Sequence, residues 1–331
     1  AFRDAVINPT KDRIVSPINI AAAHFLDIAA RAVARGDVST AIGAHRATVL
    51  SAPNDGDLAV KCGVRMYQAG DVLQTAKVLM RAIICNPASS DAQALLGMAL
   101  ARLGRNLSAK IAFVNALLLR PEISDIWFNI GELQGQQSEH RIGSISYRRA
   151  FISRPSNVSA LAEHGIQEYL LGNHGRAAAS LRDAIERDPS CVRAHLHMGL
   201  VLATTGRHGD AATSFRRSLA IEPRQVDTVA NLALTLRKIN RRTEASRMTR
   251  RGMIIDPAHA RFWSTRSALE LEEGRPESGA RSALISMLLD PGHADGPGNL
   301  AQSRFLAAHI SEATRFGHMA YLLAPDRPEV R

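Results

Sequence analysis

The chain has 331 residues, of which 46% are hydrophobic, 22% are charged and 5% are aromatic. This composition excludes a disordered chain, and few aromatic residues beside many alanines favour closely packed helices over sheets. The formal net charge is +10, because 36 arginines and 5 lysines outnumber 31 acidic residues. Such a charge is compatible with nucleic-acid or anionic-membrane partners, although a GC-rich coding sequence produces the same arginine bias.

Cysteine usage and hydropathy set further bounds. Cys62, Cys85 and Cys191 are widely spaced and form no C-x-x-C pair, so we expect no disulfide framework. The absence of any run of 18 apolar residues predicts no membrane span. The chain begins at Ala1 without a signal-peptide pattern, and we expect a piece of a longer, cytoplasmic protein.

Prolines recur along the chain at intervals of 34 residues. They are Pro53, Pro87, Pro121, Pro155, Pro189, Pro223, Pro257, Pro291 and Pro325. With the proline numbered position 32, the predicted units are 22–55, 56–89, 90–123, 124–157, 158–191, 192–225, 226–259, 260–293 and 294–327. Residues 1–21 are predicted to be a partial N-terminal repeat or cap, and residues 328–331 are a tail that we expect to be truncated.

Each unit carries small residues at positions 8 and 27, which let two helices approach closely. Position 15 is glycine, asparagine, serine or alanine throughout, and glycine or asparagine there predicts a left-handed residue that ends the first helix. The proline at position 32 predicts that the second helix ends near position 30. Acidic residues at position 2, with Ser90 and Ser124 before two of them, are predicted to cap the first helix.

The last unit departs from this layout. Gly296-Pro297-Gly298 stands where its first helix should begin, which predicts a late start near Asn299. After Pro325 only six residues remain, and no polar helix covers the last unit. Because helical arrays need such a cap for solubility, we expect either a continuation beyond Arg331 or self-association through this end.

These positions resemble the tetratricopeptide repeat family. Trp127 and Trp263 hold position 4, Leu96-Gly97 and Met198-Gly199 hold positions 7 and 8, and Phe113, Tyr147 and Phe215 hold position 24. Position 20 is alanine in six units, at Ala41, Ala109, Ala177, Ala211, Ala245 and Ala313. The resemblance covers residues 22 to about 327 and implies an all-α fold, a right-handed α-α superhelix, or solenoid, of about nine 34-residue helix-turn-helix repeats.

No catalytic pattern is present. His195 and His197 are two residues apart on a predicted helix and therefore point in different directions, with no carboxylate or cysteine at ligand spacing. Cys62 and Cys85 fall at positions predicted to face the core. The chain lacks a P-loop, a strand-linked G-x-G-x-x-G, a nucleophile elbow and an H-E-x-x-H motif. We predict no catalytic residues, no metal site and no cofactor.

By the resemblance, positions 2, 5, 6, 9, 12 and 13 of the first helices line a concave groove. The predicted groove residues are Phe128, Asn129, Glu132, Ile166, Tyr169, Leu170, Arg193, Leu196, His197, Leu200, Asn231, Leu234, Arg237 and Lys238. An apolar middle with polar edges suits an extended or helical peptide. The alternative is that positions 5, 9 and 12 only pack between adjacent helices.

Position 6 tests two ligand types known in the family, the clamp for a C-terminal carboxylate and the asparagine ladder of O-linked glycosyltransferases. The clamp needs paired asparagines with neighbouring lysine or arginine, and the ladder needs an unbroken series. Only Asn129, Asn231 and Asn299 occupy position 6 as asparagine, and they are isolated. Neither pattern is intact.

The second helices carry a series of arginines, which the resemblance places on the convex face and which we name the basic stripe. Its members are Arg148, Arg149, Arg182, Arg216, Arg217, Arg241, Arg242, Arg247, Arg250 and Arg251. It could dock an acidic partner, a phosphorylated lipid surface or RNA. The alternative is a solvated outer face, and no aromatic residues interleave with these arginines as single-strand stacking requires.

Three hypotheses follow. The first is a non-catalytic scaffold that binds a protein or peptide in the concave groove. The second is that the repeats are the substrate-positioning region of a larger bacterial enzyme, such as an O-linked glycosyltransferase. The third is RNA or anionic-surface binding through the basic stripe, although nucleic acid is the less favoured partner.

Overall fold

Helices joined in pairs by short turns make up the computed structural model, which describes residues 17–324. The chain divides into two compact units at the boundary between Asn157 and Val158. The first unit contains α1 (Pro17–Ala34), α2 (Val38–Ser51), α3 (Gly56–Gln68), α4 (Val72–Cys85), α5 (Ser90–Arg102), α6 (Asn106–Leu119), α7 (Ser124–Gln136) and α8 (His140–Ser153). No strand occurs within the described range.

The second unit continues the same layout. It contains α9 (Val158–Leu170), α10 (His174–Arg187), α11 (Val192–Thr204), α12 (His208–Ile221), α13 (Val226–Lys238), α14 (Arg242–Ile255), α15 (Ala260–Glu272), α16 (Pro276–Leu289), α17 (Asp295–Leu306) and α18 (Ile310–Leu323). Each unit is an all-α solenoid of stacked helical hairpins, which confirms the predicted fold class.

The turn between paired helices has the predicted left-handed residue at position 15. In the nine described turns this residue has a φ between 58° and 88°. It is Gly36, Gly70, Gly104, Ser138, Gly172, Gly206, Asn240, Gly274 or Ala308. The following N–H then turns back onto the first helix, as when Arg207 N donates to Leu202 O at 2.8 Å.

The end of each second helix is also where the sequence predicts it. Every second helix in the described range ends at position 30, from Ser51 in α2 to Leu323 in α18. Position 31 leaves the helical region because a proline follows it: Arg120, for example, has φ −144° and ψ 90°. Its N–H still donates to Ala116 O at 3.0 Å, so the last turn of the helix stays closed.

In five hairpins, from α3–α4 to α11–α12, the glycine at position 8 faces a large residue at position 24. A Cβ added to Gly97 would lie 2.7 Å from the ring of Phe113, and one added to Gly165 would lie 2.8 Å from Leu181 Cγ. Phe113 and Leu181 are both buried. Close approach of the two helices is therefore how the hairpin encloses its largest apolar side chain.

Consecutive hairpins pack second helix against first helix, as in α4 on α5 and α12 on α13. First helices also contact the next first helix, including α11 with α13, α13 with α15 and α15 with α17 in the second unit. The first helices of the second unit therefore lie side by side along the stack of hairpins.

Three expectations about helix ends need correction. α17 begins at Asp295 and not near Asn299, because Pro297 falls in the first turn, where no N–H is needed for a helical hydrogen bond. α1 begins at Pro17, five residues before the predicted first unit, for the same reason. Ser90 and Ser124 do not cap: their hydroxyls donate to Ala116 O and Ala150 O at the end of the paired helix.

Some predictions fall on residues outside the described range. These are most of the partial N-terminal repeat or cap (residues 1–16 of 1–21), Pro325 and the tail 328–331. Between residues 17 and 324, no helix combines the length and apolar character needed to cross a bilayer. Cys85 was predicted to face the core and is exposed, because position 30 lies at the end of the second helix.

Candidate functional site

A groove of about 1210 Å³ lies against the first helices of the second unit. Side chains of α13, α15 and α17 line it, together with part of α18, and we name it the α13–α18 groove. Positions 5, 6 and 9 of α15 are Ser264, Thr265 and Ala268, whereas in α11 they are the larger Leu196, His197 and Leu200. The groove therefore opens where these positions become small.

Four predicted groove residues meet here. Leu234, Arg237 and Lys238 of α13 line the groove. Asn231 lies beside it and accepts a hydrogen bond at 2.7 Å from Nη2 of Arg261, which also lines the groove. The side-chain oxygen of this asparagine therefore accepts a hydrogen bond from an arginine of the next first helix and holds that arginine in position.

The α13 side of the groove is cationic. Arg237 pairs with Glu272 at 2.9 Å, and its buried Nε has no hydrogen-bond partner within the described residues. Lys238 is exposed and has no carboxylate within ion-pair distance in the described part of the chain. With Arg261, three positive side chains line the groove, against Asp295 in its lining and Glu272 beside Arg237, so the lining has an excess of positive charge that attracts a carboxylate.

The far side of the groove is apolar and was missed by the sequence prediction. Phe305 of α17 and Ile310 of α18 line it and are 64% and 57% exposed. Asn299 also lines it and donates from Nδ2 to Ser264 O at 2.9 Å. The sequence carries a signal for this side, because Arg261 and Phe305 occupy positions 2 and 12 of the last two units and Asn299 occupies position 6.

The predicted residues on α9 and α11 include side chains that pack against one another, so this surface is less open than the α13–α18 groove. The rings of Tyr169 and His197 meet edge to face with centroids 6.4 Å apart, and the Tyr169 hydroxyl lies 3.4 Å from Thr204 Oγ1. Burial, followed by the charge of Arg193, lowers the pKa of His197 to about 4. Arg193 itself pairs with Glu163 at 2.6 Å.

The other predicted residues of α9 and α11 differ in exposure. Ile166 is 4% exposed, because position 9 of α9 packs into the core, and it contributes no groove surface. Leu170 is 50% exposed, while Leu196 and Leu200 are half-buried. The sequence placed all four in one groove, and the structure leaves three of them accessible.

In the first unit the predicted residues lie on α7. The half-buried ring of Phe128 meets the buried Tyr147 edge to face at 5.3 Å, so it packs within its own hairpin. Asn129 is half-buried and Glu132 is exposed. Phe128 thus contacts the second helix of its own hairpin, as the alternative interpretation of position 5 allows.

The basic stripe lies on the second helices, with Arg241 directly before α14, and is exposed except for the half-buried Arg251. Several members are engaged: Arg216 and Arg241 contact Glu244 at 2.7 and 3.4 Å, Arg242 contacts Glu272 at 3.4 Å, and Arg149 lies over the Trp127 ring. Five others have no carboxylate within ion-pair distance in the described range. They are Arg148, Arg182, Arg217, Arg247 and Arg250.

The histidines and cysteines do not form a metal centre in the described range, where no cluster of three or more His, Cys, Asp or Glu side chains has a suitable arrangement. His195 is buried, and its Nε2 lies 2.9 Å from Pro189 O. His197 faces Tyr169 instead. The two rings thus point apart, as their spacing on one helix predicts.

Comparison with known proteins gives one family. Residues 163–225 match the family model described as Tetratricopeptide repeat. No curated protein matches the sequence.

Solved structures share the fold. A tetratricopeptide repeat protein from Parabacteroides merdae matches with a TM-score of 0.57 and 18% identity over 75% of this chain and 98% of its own. PilF of Pseudomonas aeruginosa matches with a TM-score of 0.56 and 21% identity over 66% and 97%. A chain of the Cut9–Hcn1 hetero-tetramer of the APC/C matches with a TM-score of 0.61 and 14% identity over 86% and 54%.

Proposed function

This chain carries tetratricopeptide repeats, and from that premise we propose that it is a non-catalytic scaffold that holds a segment of another protein in the α13–α18 groove. The observation that carries the proposal is the groove itself, about 1210 Å³ in volume and lined by α13, α15, α17 and part of α18. An open groove of this size accepts an extended or helical peptide, whose side chains fill the space that Ser264, Thr265 and Ala268 leave.

The two sides of the groove define the chemistry of the segment. Phe305 and Ile310 offer exposed apolar surface, which favours an apolar anchor side chain. Arg237, Lys238 and Arg261 favour a carboxylate at the other side. We therefore propose a peptide with an apolar residue and an acidic residue separated by the width of the groove.

Peptides selected from a random display library against the full chain test this proposal. Their affinities are measured by fluorescence anisotropy with two pairs of variants. Phe305→Ser removes apolar surface inside the groove, and Leu288→Ser removes the side chain of an 82% exposed leucine outside it. Lys238→Glu reverses a charge in the groove, and Arg281→Glu reverses an exposed charge on α16.

We expect each groove variant to weaken the selected peptides by about tenfold, which corresponds to the loss of one well-packed anchor or one charge contact. The matched variants outside the groove should leave affinity unchanged. Selected peptides that bind all four variants equally, or a library that yields no binder, would contradict the proposal.

A further inference from the structure

A second cavity, of about 290 Å³, lies on the other side of α13, between α12 and α14. Its floor is apolar and consists of Leu219, Leu232, Leu236 and Met248. The first three are buried, so the cavity reaches down to the packed core. We name it the α12–α14 pocket; it shares no residue with the α13–α18 groove.

The rim of the pocket is basic. Arg216, Arg247 and Arg251 line it together with a single acidic residue, Glu244. Arg216 is neutralised by Glu244 at 2.7 Å, and Glu244 is also shared with Arg241 at 3.4 Å. One carboxylate thus serves two arginines, which leaves the rim with excess positive charge.

The remaining rim arginines are available in different degrees. Arg251 donates from Nη2 to Pro223 O at 2.6 Å, which holds its guanidinium at the rim without neutralising it. Arg247 is exposed and has no hydrogen-bond acceptor or carboxylate partner within the described residues. The guanidinium of Arg247 therefore has no negative partner, and a carboxylate that it binds through two parallel hydrogen bonds would provide one.

From this arrangement we propose that the α12–α14 pocket is a second docking site, for an acidic protein segment in which one apolar side chain is flanked by carboxylates. The apolar side chain enters the pocket and covers the floor, and the flanking carboxylates meet Arg247 and Arg251. Charge complementarity selects the flanks and the apolar floor selects the anchor.

The apolar floor also favours a protein segment over RNA as the occupant of the pocket. Phosphates are satisfied by arginines alone, and bases in single strands stack on aromatic side chains. No aromatic residue lines the pocket. Leucine and methionine side chains instead match an aliphatic or aromatic residue of a polypeptide.

The probe is a fluorescein-labelled peptide series, Gly-Glu-Asp-Φ-Glu-Gly, in which Φ is leucine, methionine, phenylalanine or alanine. Binding to the full chain is measured by anisotropy. We expect the three large side chains to bind about tenfold more tightly than alanine, because only they fill the pocket. Equal binding for all four peptides would overturn the proposal, since it would mean that charge alone is recognised.

Two variants with matched controls locate the site. Arg247→Glu reverses the unpartnered rim charge, and Arg250→Glu makes the same change on the same helix outside the pocket. Ala220→Trp fills the pocket from an exposed position, and Ala179→Trp places the same side chain at an exposed position on α10. We expect Arg247→Glu and Ala220→Trp to weaken the leucine peptide by about tenfold and the two controls to leave it unchanged.

Two further measurements complete the test. A 20-nucleotide single-stranded RNA should bind no more tightly than the alanine peptide; tighter RNA binding that Arg247→Glu and Arg250→Glu reduce equally would identify the arginines as a nucleic-acid surface and overturn the proposal. Phe305→Ser should leave the leucine peptide unaffected, and a loss of binding in this variant would instead place the peptide in the α13–α18 groove.

Discussion

The ring of Phe215 occupies the space directly in front of Gly199. A Cβ added to Gly199 would lie 2.5 Å from Phe215 Cε1, and Phe215 is fully buried. The same relationship joins Gly97 to Phe113 and Gly131 to Tyr147 in the first unit. These three hairpins thus depend on the absence of a Cβ at position 8 of the first helix.

Replacing Gly199 by alanine should destabilise the chain. The ring cannot move without disturbing a packed core, and overpacking of this kind costs about 1–3 kcal/mol. Gly209→Ala is the matched control, because Gly209 is also helical and nothing lies within 4 Å of its added Cβ. Midpoints of thermal unfolding should fall for Gly199→Ala and stay level or rise for Gly209→Ala. An equal effect of both substitutions would contradict this account.

A buried polar pair replaces apolar packing at position 11 of the eighth hairpin. Ser282 Oγ donates to Glu270 Oε2 at 2.7 Å, and Arg266 Nε donates to Oε1 at 2.9 Å. Ser282→Ala should cost about 1–3 kcal/mol, because a buried carboxylate oxygen loses its donor. The double variant Glu270→Leu/Ser282→Ala should recover part of this loss in chemical denaturation.

The control for this pair is Ser311→Ala, which alters an exposed hydroxyl and should change stability by less than about 0.5 kcal/mol. If Ser282→Ala is as mild as Ser311→Ala, the hydrogen bond to Glu270 does not contribute to stability. Gln134 and Ser146 form the corresponding pair at 2.7 Å in the first unit and provide a second place to test it.

His197 should make stability depend on pH. Its pKa is lowered by burial and by Arg193 from an ordinary value of 6.5 to about 4, so between these values the unfolded chain binds a proton that the folded chain does not. The contribution of His197 to the free energy of unfolding is therefore fully present above pH 6.5. It is lost as the pH falls towards 4, by at most about 3 kcal/mol. His197→Gln should reduce the loss of stability measured between pH 7.5 and 5.0.

His318→Gln is the control for His197, because His318 is exposed on α18. Comparison with the wild type separates the contribution of this histidine from that of the chain's carboxylates. A loss of stability that is identical in the wild type and in His197→Gln would contradict the assignment.

The three cysteines should react at different rates with a thiol reagent. Cys62 is 1% exposed, and burial together with the charge of Asp55 raises its pKa to about 11. Cys191 is half-buried and its pKa is raised mainly by burial, whereas Cys85 is exposed. Alkylation at pH 8 followed by mass spectrometry should modify Cys85 first, Cys191 more slowly and Cys62 only on unfolding. Modification of native Cys62 as fast as Cys85 would show that the hairpin core opens freely.

The regular parts of the fold could be predicted because one proline and one turn residue mark each unit. The left-handed residue at position 15 and the helix end at position 30 depend on local backbone sterics, which a single residue determines. The predicted start of α17 was wrong because a proline in the first turn does not break a helix, although the Gly-Pro-Gly sequence resembles a break. The prediction that Cys85 faces the core was wrong because the repeat period gives the position of a residue in its unit but not how far the next hairpin covers it.

The site was harder to predict than the fold. Its location depends on the sizes of side chains from three successive first helices, including Ser264, Thr265 and Ala268, which carry no motif. Arg261 bonds to Asn231 across 30 residues of sequence, and such pairings follow from the stacking of hairpins. Leu234, Arg237 and Lys238 line this groove, and the family's ligand positions point to them.

Hydroxyl-radical footprinting of the full chain with a selected peptide tests the central claim most directly, because it reports which side chains the peptide covers. Oxidation of Phe305, Ile310 and Leu234 should fall when the peptide is present, while oxidation of the exposed Leu288 and Ile254 outside the groove stays constant. Protection confined to other helices, with Phe305 oxidised as fast in the complex as in the free chain, would contradict it.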